Sequence, residues 1–404
     1  MKKQTSFSQF SNNSFFYWSL LVLFGGIILI GLLAVHQMEH HGHHITGMSQ
    51  QIVWGLPHVF AIFLIVAASG ALNISSMSSV FNRTHYKPLS RLSAMLSICL
   101  LAGGLAVLVL DLGRPDRLIV AMTHYNFKSI FAWNIILYNG FFAIVFVYIW
   151  MMMEQKMNKF SKLAGFFAFL WRLILTTGTG SIFGFLFARE AYDAAIMGPM
   201  FVIMSFSFGL AFFMLVMGLL YKLDGRQIGD YVFNKLRKLL GVFIAAVLYF
   251  VIVKHLTNLY AAEHTDMEYF MLFGDNIYTQ LFWYGQVLLG GLLPLIMLYG
   301  PLCKKSRLTG YLAAFLVVLG GLIQIYVIVI GGQAYPLVLF PGMEVTSSFF
   351  DGTINSYIPS KYEIALGVSG VAITLLAIVF ASRILPVAAD NLSDEYVNPH
   401  FKKK

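Results

Sequence analysis

A carboxylate and an imidazole are predicted to lie at one depth in two membrane helices, where they could exchange protons with a bound ligand. Asp111 ends an apolar run and opens the Asp-Leu-Gly-Arg-Pro turn at 111–115. His58 lies about one turn into another apolar run, which opens with Trp-Gly at 54–55. An ionisable residue inside a membrane is costly and marks a functional site by default. A structural Asp111–Arg114 ion pair is the alternative, since a helix C-terminus disfavours an anion.

Further polar side chains are predicted near the same depth, at the ends of other apolar runs. Proton exchange with a ligand needs acids and bases within hydrogen-bond reach of the reacting atoms. We therefore expect Asp111, His58 and Glu190 to be catalytic. We expect the ligand to be bound by His58, Asp111, Arg114, Asn134, Tyr138, His255 and Gln286.

One helical face of the fifth apolar run carries Arg172, Thr176 and Thr179. An arginine in a membrane needs a partner or a water-filled cavity. The face indicates either a polar seam for protons or a structural arginine bonded to helix carbonyls, and the sequence leaves both open.

The elements that must position these residues are ten apolar segments. The chain has 404 residues, is 58% hydrophobic and only 11% charged. Each segment is near the ~20 residues that cross a bilayer core. We therefore predict an all-α integral membrane protein with ten transmembrane helices, at 17–36, 53–79, 92–111, 129–152, 163–187, 197–221, 237–258, 280–300, 308–330 and 363–385.

The basic residues are sorted to one side of these predicted spans. Alternate connections hold only Arg114, Arg117, Lys128, Arg189 and Lys361, and nearly all other Lys and Arg residues lie on the opposite side. The positive-inside rule then places both termini in the cytoplasm. We expect a membrane domain at 1–387, a polar cytoplasmic tail at 388–404, and a location in a bacterial inner membrane.

Composition argues against several other functions. The net charge of +9 follows from the positive-inside bias, so nucleic-acid binding has no support. The two cysteines are too few for an iron–sulfur cluster, which takes about four thiolates. We expect no haem or iron–sulfur cofactor and no metal site, although the histidine-rich segment 36–44 has no assigned role.

Two long connections on the predicted outer side, 259–279 and 331–362, are rich in apolar residues. Long loops in a compact protein are usually functional or disordered, and the apolar content disfavours disorder. We interpret both loops as a docking surface for a partner protein.

The Trp-Gly start at 54–55, the Asp-Leu-Gly-Arg-Pro turn at 111–115, and the run from Phe282-Trp283 to Pro294 resemble the NrfD/PsrC family of polysulfide reductase-type membrane subunits. Ten spans make the chain similar to the branch of HybB and DsrP, the latter from sulfur metabolism. The resemblance implies menaquinone or ubiquinone as bound substrate. It also implies an iron–sulfur, ferredoxin-like partner on the outer loops, other subunits of a respiratory complex, and the membrane itself. By resemblance Asp111 is the motif acid.

The resulting functional prediction is a quinone-interacting subunit of a respiratory oxidoreductase complex. It would exchange electrons between a membrane quinone and the iron–sulfur partner, with coupling to proton translocation as a further expectation. Two alternatives stay open: a secondary transporter, and a membrane anchor for b-type haem.

Overall fold

The computed structural model describes residues 6–11, 14–300, 306–337, 353–399 and 401. In these ranges ten helices are long and apolar enough to cross a membrane, which confirms the predicted all-α membrane fold. We number them spans 1 to 10: Phe15–His41, Leu56–Ser79, Thr84–Leu110, Ile130–Met153, Asn158–Gly184, Met197–Leu223, Asp230–Tyr260, Ile277–Tyr299, Arg307–Ala334 and Lys361–Ile384.

Side chains at the start of several spans satisfy backbone donors that a helix leaves free. Ser14 accepts a hydrogen bond from the backbone of span 1, and Asn276 does the same for span 8. Ser360 and Glu363 form a reciprocal capping box at the start of span 10. Such partners matter because lipid supplies no hydrogen bonds to exposed backbone groups.

Span 2 lies at the centre of the bundle and contacts spans 3, 5, 6, 9 and 10. Of its most apolar window, 89% is buried. Gly70 of span 2 and Gly209 of span 6 meet where the two helices cross, and a Cβ on either would overlap the other backbone. Small residues of this kind let membrane helices approach closely.

The spans form two groups that join at this crossing. Spans 2 to 5 pack together, with span 10 against spans 2 and 3 and span 1 against span 10; spans 6 to 9 form the second group. Spans 8 and 9 contain π-helical turns, at Leu281–Leu292 and Val327–Gly331. Such turns often occur at functional sites, and here the two segments belong to neighbouring helices.

The described residues nearest both termini lie at one end of the bundle, which we call the basic end; the other is the far end. Strand Phe7–Ser8 pairs antiparallel with strand Ala388–Ala389. Leu392 in the tail is fully buried, and the Tyr221 hydroxyl donates to the Ala389 carbonyl at 3.0 Å. The start of the predicted tail therefore packs on the membrane domain. Which end faces the cytoplasm stays a prediction.

Candidate functional site at the far end

His58 and Asp111 meet at the far end of spans 2 and 3. Pro57 lies in the first turn of span 2, so His58 is held at its start. Asp111 is the residue at which the helix of span 3 ends. His58 Nδ1 lies 2.8 Å from Asp111 Oδ2, and the Asp111 side chain has no exposed surface. The structure therefore brings together the two residues on which the predicted site depends.

The Asp111 carboxylate has unused hydrogen-bonding capacity. His58 Nδ1 is close, but both carboxylate oxygens are buried without a hydrogen-bond donor assigned to them among the described residues. A buried polar group without a partner costs free energy. The pair therefore suits a ligand that brings a hydroxyl group of its own.

His43 is a third member of this site, and the sequence analysis did not single it out. Its Nε2 lies 3.9 Å from Asp111 Oδ1, and its side chain is 28% exposed. Gly113 has a positive φ of 65°, and a Cβ there would lie 3.1 Å from Cε1 of His43. The glycine of the 111–115 turn thus meets two needs: a left-handed backbone and room for the His43 ring.

Arg114 does not pair with Asp111. Its side chain is 67% exposed, and its Nε lies 3.8 Å from Asp116 Oδ1. The alternative raised for Asp111 was an ion pair with Arg114. In the structure Asp111 contacts His58 instead.

Asn134 and Tyr138 lie buried where span 4 packs on span 5. The Asn134 amide donates to the carbonyls of Ile130 and Gly178, at 2.9 and 3.1 Å. The Tyr138 hydroxyl lies 3.5 Å from the Thr179 hydroxyl. The described contacts of both residues thus join spans 4 and 5, and none involves His58 or Asp111.

His255 and Gln286 belong to a second cluster, in the group of spans 6 to 9. His255 Nδ1 lies 2.6 Å from Glu268 Oε2, and the Asn258 amide donates to Glu268 Oε1 at 2.8 Å. Lys254, His255 and Gln286 line one cavity. The residues expected to bind one ligand therefore lie apart: His58 and Asp111 form one cluster, His255 and Gln286 belong to a second, and Asn134 and Tyr138 lie between spans 4 and 5.

Glu268, on the short helix Thr265–Leu272, is the fully buried centre of this second cluster. Burial raises the pKa of Glu268, but the hydrogen bond and charge of His255, the charge of Lys254 and the Asn258 hydrogen bond outweigh burial and lower it. No motif marked this residue in the sequence. Glu263 and Asp266 lie close by in the sequence, so nothing distinguishes Glu268 from its acidic neighbours.

Glu190 lies half-buried in the connection between spans 5 and 6. Burial raises its pKa; the nearby charge of His264 opposes this, while Asp266 and Glu263 add to it. These neighbours belong to the 259–279 loop. The described charges around Glu190 therefore place it beside that loop.

Buried polar groups from the end of the chain hold the segment that leads into His58. Gln333 Oε1 accepts hydrogen bonds from the backbone of Val53 and Trp54, at 2.9 and 3.0 Å. Glu363 accepts from Gly47 at 2.8 Å and from the Tyr357 hydroxyl at 2.6 Å. The position of His58 thus depends on spans 9 and 10 as well as on its own helix.

Arg172 is fully buried, its described contacts include no carboxylate, and its Nε has no described hydrogen-bond partner. It donates to Asn73 Oδ1 at 3.0 Å and to the Ser69 carbonyl at 3.5 Å. The guanidinium lies 5.0 Å from the ring centres of both Phe169 and Phe206. This environment matches the structural role raised for Arg172 better than a water-filled seam.

Comparison with known proteins identifies what this architecture is similar to. The model of the polysulphide reductase NrfD family matches residues 44–336. The chain is 25% identical over 397 residues to the Hdr-like menaquinol oxidoreductase integral membrane subunit of Archaeoglobus fulgidus, covering 97% of this chain and 98% of that protein.

Two further relatives are similar over most of their length. A selenate reductase subunit of Mesobacillus selenatarsenatis is 25% identical, over 89% of this chain and 92% of that protein. The menaquinone reductase integral membrane subunit of Nitratidesulfovibrio vulgaris is 24% identical, over 93% of each chain. All three relatives named are subunits of oxidoreductases.

Proposed function

This chain belongs to the polysulphide reductase NrfD family, and we propose that it is the quinone-interacting membrane subunit of a respiratory oxidoreductase complex in a bacterial inner membrane. The observation that carries the proposal is the buried His58–Asp111 pair, at 2.8 Å, with a carboxylate that lacks an aligned donor among the described residues. The names of two relatives, which contain menaquinol and menaquinone, support quinone as the ligand.

The pair has the chemistry that quinol oxidation requires. A quinol that becomes a quinone gives up two protons and two electrons. Because Nδ1 of His58 faces Asp111, Nε2 of the same ring is left to accept a proton from a quinol hydroxyl. The carboxylate then stabilises the imidazolium, as in other base–carboxylate pairs. In quinone reduction the same groups return the protons.

Partly exposed His43 provides a route for that proton to the far-end surface. Its Nε2 lies 3.9 Å from Asp111, a distance that one small movement or one water molecule closes. Imidazole is the side chain best suited to pass protons near neutral pH. We propose the order His58, Asp111, His43 for proton release.

The lipid-facing surface beside Asp111 suits entry of a quinone from the membrane. The short helix Leu118–Thr123 follows the 111–115 turn and contains no buried residue. Ile119 and Val120 on it are 62% and 54% exposed, and Phe131 at the start of span 4 is 46% exposed. An apolar portal of this kind lets the ring reach Asp111 while the isoprenoid tail stays in lipid.

The electrons pass to a partner, which we propose is an iron–sulfur subunit docked on the far end. In the 259–279 loop, Tyr269 and Phe273 are 57% and 64% exposed. Residues 338–352 of the 331–362 loop lie outside the described residues. Ile358, in the described part of that loop, packs against Gly47, so a protein bound there lies beside the segment that leads into His58.

The second cluster is where we propose that proton translocation is coupled. Two neighbouring cavities, each about 20 Å³, share Gln286 and Gln324. About 10–15 Å³ suffices for one water molecule, so each cavity is large enough for one water molecule but too small for a quinone ring. Nε2 of Gln324 is buried without a described partner, and Lys254 lines the outer cavity.

The cavities extend the cluster from the far end towards the middle of the membrane. The outer one reaches Lys254 near the end of span 7, and the deeper one reaches Ile244, about ten residues earlier in the same helix. Arg237 is buried one to two turns further towards the basic end. Spans 6 to 9 thus offer polar groups at several depths, separate from the quinone pair.

Asp111→Asn tests the quinone site in the purified complex. We expect quinol-dependent electron transfer to fall by about 10²-fold, the usual scale for loss of a proton-transfer group, while the complex keeps all of its subunits. Asp116→Asn is the matched control, because Asp116 is 69% exposed on the same turn. Full turnover of Asp111→Asn would remove this residue from the mechanism.

Glu268→Gln tests the coupling site in the same complex after reconstitution into vesicles. We expect quinol oxidation to continue while the number of protons moved per electron falls. Glu263→Gln, on the neighbouring exposed turn, is the control. An unchanged ratio in Glu268→Gln would refute coupling at this cluster and leave the quinone site untouched.

A further inference from the structure

A cavity of about 270 Å³ opens at the basic end, between the ends of spans 2 to 5. It is large enough for a small charged group, being close to the lower limit of about 300 Å³ for ligand pockets. Its polar lining combines cations, hydroxyls and amides, and none of its lining residues is acidic. The polar residues that matter here are Lys87, Arg91, Lys162, Ser79, Thr84 and Ser161.

Arg91 is fixed in the wall of this cavity. Its guanidinium donates to the carbonyls of Pro386 and Met152, at 3.1 and 2.6 Å. It also lies 4.1 Å from the ring centre of Phe7. Carbonyl groups and a ring orient the guanidinium but leave its positive charge uncompensated.

Lys87 and Lys162 add two further cations, and neither forms an ion pair with any described carboxylate. Both side chains are exposed at the cavity. Three like charges around one cavity repel each other. An anion between them would relieve that repulsion and could accept a hydrogen bond from the Thr84 hydroxyl in the same wall. The hydroxyls of Ser79 and Ser161 already donate to the carbonyls of Ser75 and Asn158.

In a second basic cavity at this end, nearby carboxylates neutralise the arginines. It measures about 420 Å³ and contains Arg226 and Arg307 in its lining. Arg226 Nε lies 2.7 Å from Asp224, and Arg307 Nη2 lies 2.6 Å from Asp230. The chain thus supplies carboxylates to the arginines of one cavity and none to the cations of the other.

Two exposed apolar side chains flank the uncompensated cavity. Phe81 precedes the lining residue Asn82 and is 55% exposed. Leu163 follows Lys162 and is 57% exposed. A cationic cavity with hydrocarbon-facing side chains at its edge matches a phosphate group that carries acyl chains.

We propose that this cavity binds the phosphate group of an anionic phospholipid, such as phosphatidylglycerol or cardiolipin. Lys87, Arg91 and Lys162 supply the positive charge, the Thr84 hydroxyl donates a hydrogen bond, and Phe81 and Leu163 contact the acyl chains. The proposal is independent of the quinone site, which lies at the far end.

The test uses the full chain in neutral detergent, with added phosphatidylglycerol, phosphatidylcholine or inorganic phosphate. We expect phosphatidylglycerol alone to raise the Tm and to be retained in native mass spectra. The double variant Lys87→Gln/Lys162→Gln should bind it about 30-fold more weakly, from about 1 kcal/mol per basic residue. Lys222→Gln, in the neutralised cavity, is the matched control and should bind normally.

Four results would overturn the proposal. Equal Tm shifts with phosphatidylcholine would show that the effect needs no anion. An equal shift with inorganic phosphate would show that a free ion, not a lipid, is the ligand. Unchanged lipid binding in the double variant, or loss of a co-purifying protein with lipid binding intact, would assign the cations to another role.

Discussion

Replacing His58 with leucine should destabilise the protein, and neutralising Asp111 in the same chain should restore part of the loss. The Asp111 side chain has no exposed surface and lies 2.8 Å from His58. It also ends a helix, where the dipole disfavours negative charge. In His58→Leu the remaining described imidazole is that of His43, at 3.9 Å, so a buried anion is left poorly compensated.

The size of the effect follows from what each variant leaves behind. Breaking a buried pair by removing one partner costs about 3–5 kcal/mol, because an unpaired charge stays in the interior. A neutral buried group without a partner costs about 1–3 kcal/mol. The double variant His58→Leu/Asp111→Asn should therefore regain about 2 kcal/mol over His58→Leu.

Unfolding of the purified protein in mixed micelles, titrated with SDS and followed by tryptophan fluorescence, measures these differences. His44→Leu is the control, because His44 is an exposed histidine beside His43. If His58→Leu unfolds at the wild-type SDS concentration, or if the double variant is less stable than His58→Leu, the charge of Asp111 is not compensated by His58. Quinol oxidation should stay impaired in the double variant, so recovered stability is distinguishable from recovered function.

Three more outcomes follow from the structure. Arg172→Met should leave the number of protons moved per electron unchanged in vesicles, because an amide and a carbonyl group bind the guanidinium. A lower number would indicate that Arg172 belongs to a polar seam for protons. Gly70→Ala should lower the Tm, because its Cβ overlaps span 6 and overpacking costs about 1–3 kcal/mol of stability. Gly25→Ala is the control, since a Cβ there meets nothing within 4 Å. Burial raises the pKa of Glu190, so its contribution to stability is present at low pH and lost as pH rises through the raised pKa. Glu190→Gln should therefore raise the Tm at about pH 8 but not at about pH 4; equal shifts at both would contradict this.

The fold was predictable because the bilayer imposes a length and a composition on every span. Ten apolar runs are enough to identify ten helices, and the sorting of basic residues predicts their orientation. Depth was predictable for the same reason: His58 and Asp111 each lie a known number of residues from a span end. The contact between them then requires only that spans 2 and 3 are neighbours in the bundle.

Position around the bundle was not predictable, because hydropathy reports depth and carries no information on which helices are neighbours. His255 lies near the far end like His58, yet its carboxylate partner is Glu268, in the other helix group. Glu268 is buried by the fold of a connection and lies in no periodic pattern. His43 becomes part of the site only because Gly113 turns the chain beneath its ring.

Span 9 is the physical link between the two clusters. Gln324 lines both cavities of the second cluster, and Gln333, later in the same helix, binds the backbone that leads into His58. The π-helical turn Val327–Gly331 lies between them, where the backbone ladder is wider than in an α-helix. In the proposed mechanism, a change of charge at His58 and Asp111 would alter the forces on the 53–54 segment, and Gln333 would transmit that change to the helix that carries Gln324. The proposed coupling between electron transfer and proton movement therefore needs no shared titrating group, only two arrangements of span 9 that the two clusters stabilise differently.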